Sequence, residues 1–130
     1  MNNWAVMKDF LDGNKEVQQY MRGIQDAAMD LELALKTGRY DEAAKAIEFE
    51  MENRRKLAPS IVTPEIEEMI TFAKENGAKA AKICGAGGGG CVMFLTSPGD
   101  KYALIKKLRD RDTQIIDFHV DSDGLSVNSY

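Results

Sequence analysis

Cysteine and histidine are scarce in this chain, with two of the first and one of the second in 130 residues. Cys84, Cys91 and His119 fall short of the four ligands of a structural zinc site, and the cysteines are expected to be reduced, packed thiols. Long hydrophobic runs are missing too, which excludes a membrane-spanning helix. The opening MNNWAVMKDF also lacks the basic-then-apolar pattern of a secretion signal. Positive charge is not in excess: 17 Lys and Arg against 21 Asp and Glu leave a net charge of −4. Without a basic footprint, nucleic acid is not an expected partner, and a cytoplasmic protein that binds neither membrane nor nucleic acid is the expectation. The length suits one domain, residues 1–130.

What is present first is helical periodicity. Residues 1–13 read as an N-terminal helical segment in which Trp4, Met7 and Leu11 share a stripe, explained by core packing or by a face turned toward another domain. Residues 14–77 read as three helices. From Lys15 to Lys36, Val17, Tyr20, Met21, Ile24, Ala28, Leu31 and Leu35 recur at three- and four-residue steps, and Gly38 marks the stop. A second helix from Tyr40 to about Lys56 turns Tyr40, Ala44, Ile47 and Met51 inward and ends on Arg54-Arg55-Lys56, so the two form an antiparallel pair. Thr63 suits an N-cap, Pro64 the first helical position, and Glu65, Glu67 and Glu68 the positive helix end. Ile66, Met69, Ile70 and Ala73 give this third helix its apolar stripe.

The period changes after Gly77, and residues 79–130 read as a sheet with one further helix. AAKIC and CVMFLT are short apolar runs of strand type. An S-x-x-D pattern, Ser97 to Asp100, predicts a capped helix with Leu104, Ile105 and Leu108 on its apolar side. QIIDFHV alternates Ile116, Phe118 and Val120 against Asp117 and His119, and Asp123-Gly124 predicts a hairpin turn before LSVN. His119 falls on the polar side, where solvent exposure is the expectation. The fold class is α+β: a two-layer sandwich with helices packed on one face of a four-stranded, largely antiparallel sheet.

Between the two central strands lies the run Gly85-Ala86-Gly87-Gly88-Gly89-Gly90. It satisfies the dinucleotide fingerprint literally, but a strand follows where a helix N-terminus is needed. Walker A fails because Cys91-Val92 stand where Lys and a hydroxyl residue belong. The run also fits the G-x-G-x-x-G-x-V of protein kinases, yet no H-R-D or D-F-G follows and ALIK lies in a helix. Two readings survive: consecutive bare N–H groups forming a concavity for an anion, most naturally phosphate, or a flexible connection without a ligand.

KICGAGGGGCVMFL resembles the third sequence motif of the GHMP kinase superfamily of small-molecule kinases. With NNWAVMKDFLDG, MENRRKLAPSIVTPEIEEMI and GAKAAKICGAGGGGC, the likeness extends to the sugar-kinase branch that acts on heptose phosphates and covers essentially the whole chain. The resemblance implies a ferredoxin-like C-terminal kinase domain whose loop, Gly85 to Gly90, lies near the transferred phosphate. It also implies ATP- and Mg2+-dependent transfer to a hydroxyl. The family's ATP loop of the Pro-x-x-x-Gly-Leu-Gly-Ser-Ser type and its catalytic acid or base belong to an N-terminal domain and have no counterpart in this sequence.

The implied partners are therefore that N-terminal kinase domain, in the same or a separate chain, and a sugar phosphate. No catalytic residue or metal ligand is expected here, ATP and Mg2+ are not expected to bind tightly to this chain alone, and alone it is expected to be inactive. Arg54, in the stretch that carries the resemblance, and Lys82, on the strand before the loop, are possible substrate contacts. Helix-dipole complement and solubility explain Arg55 and Lys56 more simply. The alternative is a non-enzymatic small-molecule or anion-binding module with the same fold.

Overall fold

The computed structural model describes residues 3–85 and 87–129. Its elements run α1 (Asn3–Leu11), α2 (Lys15–Lys36), α3 (Tyr40–Leu57), a 3-10 turn (Pro59–Ile61), α4 (Pro64–Glu75), β1 (Ala78–Cys84), β2 (Cys91–Thr96) and α5 (Lys101–Arg109).

Local chemistry sets most of these boundaries. The Asn14 side chain accepts from the amides of Glu16 (3.1 Å) and Val17 (3.3 Å), satisfying donors that the first turn of α2 leaves open. Thr63 Oγ1 accepts from the Ile66 amide (3.4 Å) and Pro64 opens α4. The Thr63 hydroxyl, followed by its own backbone amide, holds the Glu65 carboxyl below its ordinary range. The expected capping box before α5 does not form. Asp100 precedes the helix without a side-chain cap, and its amide instead closes a turn on Ser97 O (3.0 Å).

The seam between α2 and α3 is built from small residues. Gly23, Ala27 and Ala34 are the buried positions of α2, whereas Met21, Ala28 and Leu35 of the expected stripe are exposed. The Asn53 side chain of α3 packs directly on Gly23, where a Cβ would lie 2.3 Å from its Oδ1. On α3, Ala44, Ile47 and Met51 are buried as expected, but Tyr40 is exposed. The stripe of α1 is not core either: Trp4 is 75% and Leu11 78% exposed, because this short helix leans chiefly on α2.

The sheet is a two-stranded antiparallel ribbon, β1 with β2, and not the expected four strands. Successive side chains of a strand point to opposite faces, and both faces of this ribbon are packed. Ala80 gathers with Leu31, Ala44, Ile47, Met93 and Leu95. Ala81 and Ile83 gather with Met51, Ile61, Ile66, Ile70, Val92 and Phe94. Helices covering one face only is thus corrected. A strand with a single buried face alternates, whereas CVMFLT is apolar from Cys91 to Leu95 and AAKIC is interrupted only by Lys82, as strands packed on both sides allow.

Phe94 also touches the satellite core of Ala73, Ala78, Leu104 and Leu108, which seats α5 against α4. The outer edge of β1 is covered by α3, whose Glu48 Oε1 accepts the Ala81 amide at 2.9 Å.

The expected terminal strands do not form among the described residues. Residues 113–129 carry no helix or strand, and Ile116, Phe118, Val120, Leu125 and Val127 are exposed, Val120 to 89%. Alternation signals a need for a surface to lie on, and an isolated two-stranded hairpin supplies too little of one. At the intended turn, Asp121 Oδ1 captures the Asp123 amide (2.8 Å), a local bond that competes with a ladder.

Candidate functional site

The glycine loop joins β1 to β2 above the pair Cys84 and Cys91. Gly85, Gly87, Gly88, Gly89 and Gly90 all have positive φ, from 74° to 152°. An L-residue in that region is strained, which explains glycine at these five positions. Gly87 adds a steric reason, since a Cβ there would lie 1.7 Å from Ile61 Cγ1. The Gly88 amide donates to Ile61 O at 2.9 Å. Part of the bare backbone therefore serves to fold the loop onto the 3-10 turn, and that amide is not available to an anion. Ala86, expected in the same loop, lies outside the described residues.

Arg54 and Lys82 meet on a residue that sequence reasoning missed. Glu50 Oε1 accepts from Arg54 Nε (2.9 Å), from an Arg54 terminal nitrogen (2.5 Å) and from Lys82 Nζ (2.7 Å). The carboxylate is 9% exposed, while about a quarter of each cation's side chain reaches solvent, 25% for Arg54 and 26% for Lys82. Glu50 Oε2 is buried without a hydrogen-bond partner. The i, i+4 spacing of Glu50 and Arg54 was a legible signal. The long-range partner was not, because the parity of Lys82 depends on the face that meets α3. The cluster carries two positive charges against one negative and stands two strand positions before Cys84.

Arg55 pairs with Glu67 (2.5 Å) and Lys56 with Glu52 (2.7 Å). These exposed pairs agree with the simpler account of that helix end. His119 is exposed, as expected. Among the described residues no three His, Cys, Asp or Glu side chains are grouped to hold a metal ion, and no helix is long and apolar enough to cross a membrane. A groove of about 540 Å³ runs between α3, α4 and the edge of β1, lined by Glu48, Phe49, Arg55, Ile70, Lys74 and Lys79 among others. Neither the glycine loop nor the Glu50 cluster lines it.

Removing the Glu50 carboxylate releases both cations at once. Glu50→Ala is expected to lower the unfolding free energy by about 2 kcal/mol, between a lost charged hydrogen bond and a broken buried pair. Arg54→Met or Lys82→Met alone should lower it by less, since the carboxylate keeps its other cation. Urea unfolding of the three variants checks this, and equal losses would show that Glu50 does not join the pair.

The profile of the GHMP kinases C terminal family matches residues 31–113. Over 113 residues the chain is 27% identical to D-glycero-alpha-D-manno-heptose 7-phosphate kinase of Campylobacter jejuni, covering 87% of this chain and 33% of that protein. Over 56 residues it is 36% identical to mevalonate kinase of Methanocaldococcus jannaschii, covering 43% of this chain and 18% of that protein. The chain thus spans a third or less of the length of these relatives.

Proposed function

Because the chain belongs to the GHMP kinase family as its C-terminal domain, we propose that it supplies the glycine-loop lobe of an ATP- and Mg2+-dependent kinase for a sugar phosphate, specifically a heptose phosphate. The observation that carries the reading is the similarity to the heptose kinase over 87% of the chain. The strand-loop-strand geometry of Gly85–Gly90 supports it. In this reading the loop amides other than that of Gly88 face the transferred phosphoryl group, where fixed donors stabilise developing charge. Arg54 and Lys82, aligned by Glu50, attract the phosphate already on the sugar. In this reading this chain does not supply the Mg2+ ligands. Those ligands and the catalytic acid or base come from an N-terminal kinase domain. In this reading QIIDFHV and LSVN take their places in a four-stranded sheet once that domain, in the same or a separate chain, is present. The assembled enzyme works in the cytoplasm.

The test is a chimera in which this chain replaces the matched third of the Campylobacter protein. Phosphorylation of heptose 7-phosphate is expected from the chimera, with none from the isolated 130-residue chain. Gly89→Val in the chimera should reduce turnover by about 100-fold, the scale of losing an oxyanion donor. Turnover by the isolated chain, or a folded chimera inert toward heptose 7-phosphate, overturns the reading. Activity toward mevalonate alone would reassign the substrate.

A further inference from the structure

The cysteines at the base of the loop are not packed, as the sequence suggested, but exposed and free of any disulfide. They are also directly opposed. Cys84 and Cys91 are the last matched pair of the ribbon before the loop, and the register from Ala80 to Cys84 runs without a shift. Residues opposed in an antiparallel pair send their side chains to the same face, with Cα atoms about 4.5–5.5 Å apart. That separation lies within the roughly 4.4–6.8 Å that a disulfide spans. Neither sulfur lies in the apolar clusters that bury the rest of the ribbon, so a small oxidant reaches both.

We propose that Cys84 and Cys91 form a reversible disulfide that ties the base of the glycine loop, making the loop a site of redox modification. The oxidant is a small-molecule disulfide of the glutathione class. One cysteine thiolate attacks a sulfur of oxidised glutathione, breaking its S–S bond, forming a mixed disulfide and releasing one glutathione thiolate. The opposed cysteine thiolate then attacks the chain's own sulfur in that mixed disulfide and expels the second glutathione thiolate. Two electrons pass from the cysteine pair to the glutathione pair, and the two thiol protons end on the released thiols. The bond fixes the spacing of the strand ends that carry Gly85 and Gly90, so the loop loses freedom to open away from Ile61. Reduced glutathione reverses the sequence by the same exchange.

Thiol mapping tests this without any kinase assay. The chain is equilibrated in glutathione buffers from reducing to oxidising, quenched in acid, alkylated, digested with trypsin and weighed. Lys82 and Lys101 bound one tryptic peptide that contains both cysteines. The expected oxidised product is a monomeric chain whose peptide is lighter by two hydrogens and carries no alkyl group. Cys84→Ser should leave one glutathione adduct on Cys91, and hydrogen exchange at Gly88 to Gly90 should slow several-fold in the oxidised chain. Alkylation of both cysteines at every buffer ratio, or oxidation only to glutathione adducts or to linked dimers, overturns the proposal. Loop exchange that is identical in the two states overturns the tie on the loop.

Discussion

Truncation of Ile83 to alanine is expected to lower the unfolding free energy by about 3 kcal/mol, within the usual range for deleting a buried aliphatic side chain. Ile83 is 0% exposed, and it is the largest side chain fully enclosed among the described residues. Its neighbours come from separate elements: Met51 from α3, Ile61 from the 3-10 turn, Ile66 and Ile70 from α4, with Val92 across the ribbon. No single element can shift to fill the space, so the cavity term adds to the lost transfer energy. Native domains are stable by only about 5–15 kcal/mol, so the change is a large fraction of the total. Urea unfolding should show a lower midpoint with an unchanged slope, and Ile83→Val should lose about 1 kcal/mol. A loss for Ile83→Ala no larger than that of Ile83→Val would mean that β1 is not seated between α3 and α4.

Ile83 also illustrates what the sequence made legible. Strand type followed from short apolar runs between turn signals, and helix limits from Asn14, Thr63 and Pro64, because those signals act within a few residues. Long-range features were less visible. Of the α2 stripe Val17, Tyr20, Met21, Ile24, Ala28, Leu31 and Leu35 that periodicity predicts, Leu31 packs on the core and Val17, Tyr20 and Ile24 are half-buried, but Met21, Ala28 and Leu35 are exposed, and the fully buried positions are Gly23, Ala27 and Ala34. Large apolar residues dominate any hydrophobicity pattern, but close backbone approach selects small ones. The terminal strands were read from alternation that is real, yet alternation specifies a face and not the neighbour that must cover it.

At the site the balance was similar. The loop's position and its reliance on glycine were legible, since a glycine run is destabilising unless its conformation or its bare backbone is used. The use it serves is not legible, because Ile61 lies more than twenty positions before Gly87 in sequence, with α4 and β1 between them. The sequence points to Arg54 and Lys82 separately, and only the packing of β1 on α3 reveals that one carboxylate holds both. The same packing gives Glu50 a second role as the electrostatic link between α3 and the strand leading into the loop. A disturbance of the loop is therefore expected to register in the core through Ile61 and through Ile83, two positions before Gly85.

Gly87→Ala tests that connection at its tightest point and is expected to detach the loop from the 3-10 turn. Two penalties act together. At φ +81° an L-residue is in the left-handed region, at a strain of about 1–2 kcal/mol. The added methyl would also stand 1.7 Å from Ile61 Cγ1 and 2.6 Å from Cδ1. Ile61 is 5% exposed and held by Met51, Ile66 and Ile70, so it has no room to swing aside. The loop must move instead, and it then gives up the bond from the Gly88 amide to Ile61 O, a loss of about 1 kcal/mol. We expect a total near 3 kcal/mol when strain, hydrogen bond and newly exposed Ile61 surface are combined, with the Gly88 amide losing its protection from hydrogen exchange. Gly88→Ala is the control: its φ is +74° and no atom stands within 4 Å of the new methyl, so only the strain of about 1–2 kcal/mol applies. Ile61→Ala combined with Gly87→Ala should recover part of the loss, giving a coupling energy of about 1 kcal/mol. Equal effects of Gly87→Ala and Gly88→Ala would mean that the loop does not rest on Ile61, and that its glycines answer to backbone conformation alone.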